Sequence, residues 1–126
     1  MGMIGELNKA MSEKDFLAYL KERMQVSVVR HSALLGKDVK KVAVLGGSGA
    51  FAIEDAKRAK ADVYITADLK YHEFFKAEGQ ILLADIGHFE SEQYIKSLLF
   101  DYLSKIFPTF ALSISNVDTN PIKYYS

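Results

Sequence analysis

Residues 41–65 read KVAVLGGSGAFAIEDAKRAKADVYI. Lys41 leads into Val42 through Leu45, a short unbroken apolar run of the kind that suits a strand buried on both faces. Gly46-Gly47-Ser48-Gly49 then turns the chain. After it Ala52, Ile53, Ala56 and Ala59 fall on one helical face. Those side chains are mostly small, so the helix is able to lie close to a sheet. Val63-Tyr64-Ile65 is the next short strand. Strand, helix and strand in this order are the mark of an α/β layer with parallel pairing.

The alternation continues outward. Asp68 is expected to start a helix from about Leu69 to Ala77, ended by Gly79. Ile81 to Ile86 reads as a nearly continuous apolar strand. A long helix from about His88 to Phe107 is expected next, stopped by Pro108, with Phe110 to Ile114 as the last strand. Upstream, Ser12 reads as the cap of a helix that carries Phe16, Leu17, Leu20 and Met24 on one stripe. Residues 26–30 read as a strand. The gap from there to residue 41 is too short for a helical crossover, which predicts an antiparallel or edge relation. The expectation is one α/β domain over residues 1–126, a mostly parallel or mixed sheet with helices packed on it.

Composition narrows the functions. The chain has 126 residues, 49% hydrophobic and 25% charged, which is ordinary for a globular domain. Lys and Arg number 16, as do Asp and Glu, so the formal net charge is zero. That leaves no clear nucleic-acid footprint and no electrostatic pull toward an anionic membrane. No apolar run approaches membrane-spanning length, and no leader pattern is read at the start. Cysteine is absent, which removes disulfides, thiolate catalysis and Cys-ligated zinc and is compatible with a cytoplasmic location.

In an open α/β sheet, sites form beyond the carboxyl ends of the strands. The turns at Gly46–Gly49, Thr66–Lys70 and Asp85–His88 are expected there. In or just after them stand Asp68, His72, Asp85, His88 and Glu92, which include two of the three histidines. At 100° per residue on the expected last helix, His88 lies within about 20° of the sheet-facing Ile95 and Glu92 within about 60°. An imidazole and a carboxylate one turn apart are able to share one metal ion, and suit Zn, Fe, Mn or Co. The plainer alternative has Glu92 bonding amides at the helix start and His88 satisfied in the core. Two ligands also fall short of a catalytic zinc site, which takes about three from protein.

Other residues carry two readings each. Asp68 is a helix cap or a ligand; His72 reaches the site or packs against Phe75. Asp85 orients His88 or ends its strand in water. The glycine turn receives a phosphate on its amides or serves as a tight turn; it lacks the Gly-Lys-Ser/Thr ending of a P-loop. Asn120-Pro121 reads as a turn, Tyr124 and Tyr125 as tail packing, and His31 as structural.

Several segments together resemble the second half of the Nif-three-like family, whose members often carry the label GTP cyclohydrolase I type two-like. They are Gly2 to Leu7, Lys41 to Gly49, Ala61 to His72, Asp85 to Glu92 and Asn120-Pro121. The resemblance implies a protein of two similar α/β halves that assembles as a homo-oligomer, a hexameric ring, with two divalent metals between the halves. It implies that the Gly-His-x-x-x-Glu motif, here Gly87, His88 and Glu92, supplies metal ligands. It also puts Asp68, Lys70 and His72 beside the metals, with Lys70 and His72 as groups that handle a proton or an anionic part of an unidentified small substrate. The family's first half adds a His-His pair and an Asp. This sequence has no adjacent histidines. The expectation is therefore a C-terminal half, lacking its N-terminal half, that contributes to a metal-dependent hydrolase and is inactive alone. The alternative from a different class is a non-enzymatic interaction or regulatory module, and a weaker one is a nucleotide-binding domain built on Gly46–Gly49.

Overall fold

The apolar runs alternate side chains between two faces of a sheet, and that alternation accounts for the architecture. In the computed structural model, residues 2–87 and the backbone of 103–107 are described. The elements are β1 (Gly2–Met11), α1 (Glu13–Met24), β2 (Arg30–His31), β3 (Val39–Ser48), α2 (Ile53–Arg58), β4 (Val63–Ala67), β5 (Leu82–Asp85) and β6 (Leu103–Phe107). Two 3-10 helices, Ala50–Ala52 and Tyr71–Ala77, lead into α2 and follow β4. The strands form one mixed sheet in the order β2-β5-β4-β3-β1-β6. β3, β4 and β5 are mutually parallel in sequence order, while β1 and β2 pair antiparallel with β3 and β5.

Each face has its own core. Val42 and Val44 of β3, Val63 and Ile65 of β4, and Leu82 and Ala84 of β5 meet Phe16, Leu20 and Met24 of α1. The alternate residues Ala43, Leu45, Tyr64 and Leu83 meet Ala52, Ile53 and Ala56 on the other side. α1 starts where the sequence predicts: the Ser12 hydroxyl accepts from the Asp15 amide at 3.1 Å. α2 is short, and Ala56 within it and Ala52 just before it bring it onto β3 and β4, as small side chains predict.

Three expectations need correction, and one strand is added. Residues 2–11 form a long strand that the sequence reading did not include. The strand expected at 26–30 is reduced to Arg30–His31; it lies on the sheet edge, as the edge alternative had it, paired with β5. Asp68 caps no helix: its φ is 58°, in the turn before a 3-10 helix that begins at Tyr71. Residues 103–107 are not the end of a helix but a strand, paired antiparallel with β1 from Leu7↔Leu103 to Ile4↔Phe107. β1 leaves one row of backbone donors and acceptors open once β3 has paired, and these residues fill it. The strand expected at 110–114, the Asn120-Pro121 turn and Tyr124-Tyr125 lie outside the described residues.

Candidate functional site

The three parallel strands end on one edge of the sheet, so the turns after Ser48, Ala67 and Asp85 gather there. A polar lattice binds them. The Thr66 hydroxyl donates to the Gly47 carbonyl at 2.9 Å, and the buried Tyr64 hydroxyl donates to the Gly49 carbonyl at 2.7 Å. Burial pushes the Tyr64 phenol well above its ordinary value, so it stays a neutral donor. Ser48 donates to the Asp68 carboxylate at 2.6 Å across two neighbouring turns. The left-handed backbone of Asp68 is one that Asp tolerates better than most residues.

The glycine turn is held for close packing. Gly49 is buried between β3 and β4; a Cβ placed there would come within 2.5 Å of the Tyr64 hydroxyl, and nearer still to Thr66 Oγ1. Here the tight-turn reading has direct support.

Asp85 is 1% exposed and is the centre of the lattice. Its Oδ2 accepts from Arg30 Nη2 at 2.5 Å and from the Leu69 amide at 2.8 Å; its Oδ1 accepts from the Gly87 amide at 2.6 Å. Asp85 thus ends its strand buried, not in water. Arg30 comes from the far edge strand and was missed by sequence reasoning. The signal available was an arginine closing a β-branched run, with its partner 55 positions away.

The remaining site residues divide as follows. Lys70 and His72 are both exposed, at the start of the 71–77 helix. The Lys70 amide donates to Glu73 at 2.7 Å, which starts that helix. Phe75 pairs edge-to-face with Tyr71, at 5.5 Å between centroids. His88 and Glu92 lie outside the described residues. Among the described residues no three His, Cys, Asp or Glu side chains come together to hold a metal. Also among them, no helix is long and apolar enough to cross a membrane. His31, next to Arg30 in β2, sits exposed with Nδ1 2.7 Å from the Ser32 carbonyl.

The family model Duf34/NIF3 (NGG1p interacting factor 3) matches residues 1–121. The chain belongs to the Duf34/NIF3 family. A relative from Staphylococcus epidermidis, named GTP cyclohydrolase 1 type 2 homolog, is 34% identical over 98% of this chain. This Duf34/NIF3 chain spans only 35% of that relative's length. Among solved structures, a Bacillus cereus protein related to NIF3 superposes with a TM-score of 0.69 at 28% identity, over 99% of this chain and 35% of that one. The Staphylococcus aureus protein SA1388 gives 0.68 at 27%, over 99% of this chain and 42% of that one.

Proposed function

We propose that this chain supplies part of a divalent-metal site in a Duf34/NIF3 protein that acts as a metal-dependent hydrolase. The observation that carries the reading is the turn at Asp85-Ile86-Gly87. A buried carboxylate fixes it at the carboxyl edge, beside the Asp68–His72 segment, immediately before the Gly87-His88-x-x-x-Glu92 motif. An imidazole and a carboxylate are donors that fit Zn, Fe or Mn. Two such donors complete no site, so the others come from the N-terminal half that the longer relatives accommodate, or from another copy in a homo-oligomeric ring.

His88 and Glu92 would hold the ion, or one ion of a pair. A divalent ion bound there supplies Lewis acidity, which makes water a nucleophile near neutral pH. On this reading Lys70 and His72, both exposed on the adjoining segment, meet an anionic substrate group and move a proton. No feature among the described residues selects a guanine or a triphosphate. A cysteine-free chain suits the reducing cytoplasm.

Metal content of the intact protein tests this reading. His88→Ala and Glu92→Ala together should empty the site by elemental analysis while the melting profile survives; undiminished metal refutes the ligand assignment.

A second reading, a non-enzymatic interaction module, draws on Tyr71 and Phe75. They are 81% and 67% exposed, on the same segment as His72. It predicts self-association without metal-dependent turnover of phosphoesters or cyclic amides.

A further inference from the structure

The Asp85 carboxylate joins three segments that are distant in sequence: edge strand β2 through Arg30, the turn leaving β4 through Leu69, and the turn leaving β5 through Gly87. The last two are the turns that the proposed site uses. Each has a left-handed residue beside the bonded amide, Asp68 at φ 58° and Gly87 itself at φ 86°. At Asp68, a non-glycine residue, that backbone carries strain which the surroundings must hold, whereas Gly87 adopts it freely.

Arg30 completes the arrangement. Its Nη2 donates to the Leu69 carbonyl at 2.9 Å as well as to Asp85, and its guanidinium lies 5.4 Å from the centre of the Phe74 ring. Arg30 therefore grips the β4 turn directly through Leu69 and indirectly through Asp85. It also supplies the countercharge that a buried carboxylate with only amide donors would lack. β2 is two residues long, too short to add much to the sheet as pairing alone. It carries this guanidinium to Asp85 and Leu69.

We infer that Arg30 and Asp85 are positioning residues: together they set the spacing between the Asp68–Lys70 turn, which leads into the helix of His72, and the turn at Gly87. The inference rests on the metal-site reading above. Neither residue need touch substrate or metal. Outer-shell partners of this kind typically change metal affinity about 10- to 100-fold when removed.

The experiment compares the chain with Asp85→Asn, Arg30→Gln and Arg30→Lys by NMR. Amide exchange is read at Leu69 and Gly87, and Mn²⁺ broadening is read at the His88 ring, a probe sensitive to weak, incomplete sites. In Asp85→Asn, exchange at Leu69 and Gly87 should accelerate together by about tenfold or more. Amides of Val42 and Val44 in β3 should stay near wild type. The Mn²⁺ concentration for half-broadening should rise about tenfold. Arg30→Gln should move both readouts in the same direction, and Arg30→Lys, which keeps the charge, should recover part of each. Equal acceleration across the whole sheet, or a change in only one turn, overturns the inference. So does His88 broadening that is unchanged in Asp85→Asn. No Mn²⁺ effect at His88 in the wild-type chain sinks the metal reading itself, which separates the two failures.

Discussion

Gly49→Ala is the sharpest test of how the sheet edge is built. The new methyl would collide with Thr66 Oγ1, approach the Tyr64 hydroxyl to 2.5 Å and Leu45 Cδ2 to 3.0 Å. Both polar atoms are already committed, to the carbonyls of Gly47 and Gly49, so neither moves without breaking a buried bond. Overpacking of this kind costs about 1–3 kcal/mol, and one lost buried hydrogen bond adds about 1 kcal/mol. The expected loss is about 2–4 kcal/mol, and at about 4 °C per kcal/mol for this chain length the melting temperature falls by about 8–16 °C. Urea denaturation and calorimetry measure it. A double-mutant cycle with Tyr64→Phe isolates the cause. That change alone should cost about 1 kcal/mol. In the Gly49→Ala background it removes one obstruction, so the pair should cost less than the sum by about 1 kcal/mol. A stability change within about 0.5 kcal/mol for Gly49→Ala, or strict additivity in the cycle, refutes the packing argument. Loss of phosphate binding at unchanged stability would return the glycine turn to an anion-binding role.

Glu13 is buried in the first turn of α1 and accepts from the amides of Leu35 and Gly36 at 2.9 to 3.1 Å. Glu13→Ala leaves both amides without their acceptor and should cost about 2–3 kcal/mol by denaturation, with faster exchange confined to residues 35–36; unaltered exchange there would refute it. Lys57 donates to Glu78, to Glu54 and to the Lys76 carbonyl, tying α2 to the 71–77 helix. The hydrogen bond to Glu78 holds the Lys57 ammonium above its ordinary value, and the same bond holds the Glu78 carboxyl below its ordinary 4.5. The carboxyl half is present above pH 4.5 and lost as pH falls through the depressed value, whereas the ammonium half is lost only as pH rises beyond the ordinary 10.5. Glu78→Gln should therefore flatten the acid limb of melting temperature against pH and leave pH 7 to 9 nearly parallel to wild type. An unchanged acid limb counts against the pair.

The α/β core was legible because its strands are apolar on both faces. Val42–Leu45, Val63–Ile65 and Leu82–Ala84 are recognisable runs whose alternate members serve the two cores. β1 was not legible. Gly2, Gly5, Asn8 and Lys9 are poor strand formers, and its place comes from β3 and β6 on either side, a tertiary effect that local preference does not encode. Residues 26–30 misled in the opposite direction. Their valines favour strand, yet Val28 is 66% exposed and only Arg30 finds a ladder partner there. In 103–107, Leu103 and Ile106 fit a helical stripe, and the spacing did not distinguish that from a strand completing an open edge. At the sheet edge, the turn that carries Asp68 and Lys70 was legible, but the helix that holds His72 begins at Tyr71 and not at Leu69. The Arg30–Asp85 contact was hidden by its sequence separation. The role of Glu13 was equally hidden, because the amides that donate to it, those of Leu35 and Gly36, lie beyond β2.

β1 is flanked by β3 on one side and β6 on the other, with Ile4 opposite Phe107. During synthesis β3 emerges soon after β1, and β6 only after β4 and β5 have followed. Until then a nascent chain carries a row of unpaired amides and carbonyls along a long strand, the feature that invites misassembly with other chains. Final closure is also among the most non-local contacts in the fold, so it should set the slowest step of folding. A short synthetic peptide spanning residues 103–107 would be a natural competitor for that rim.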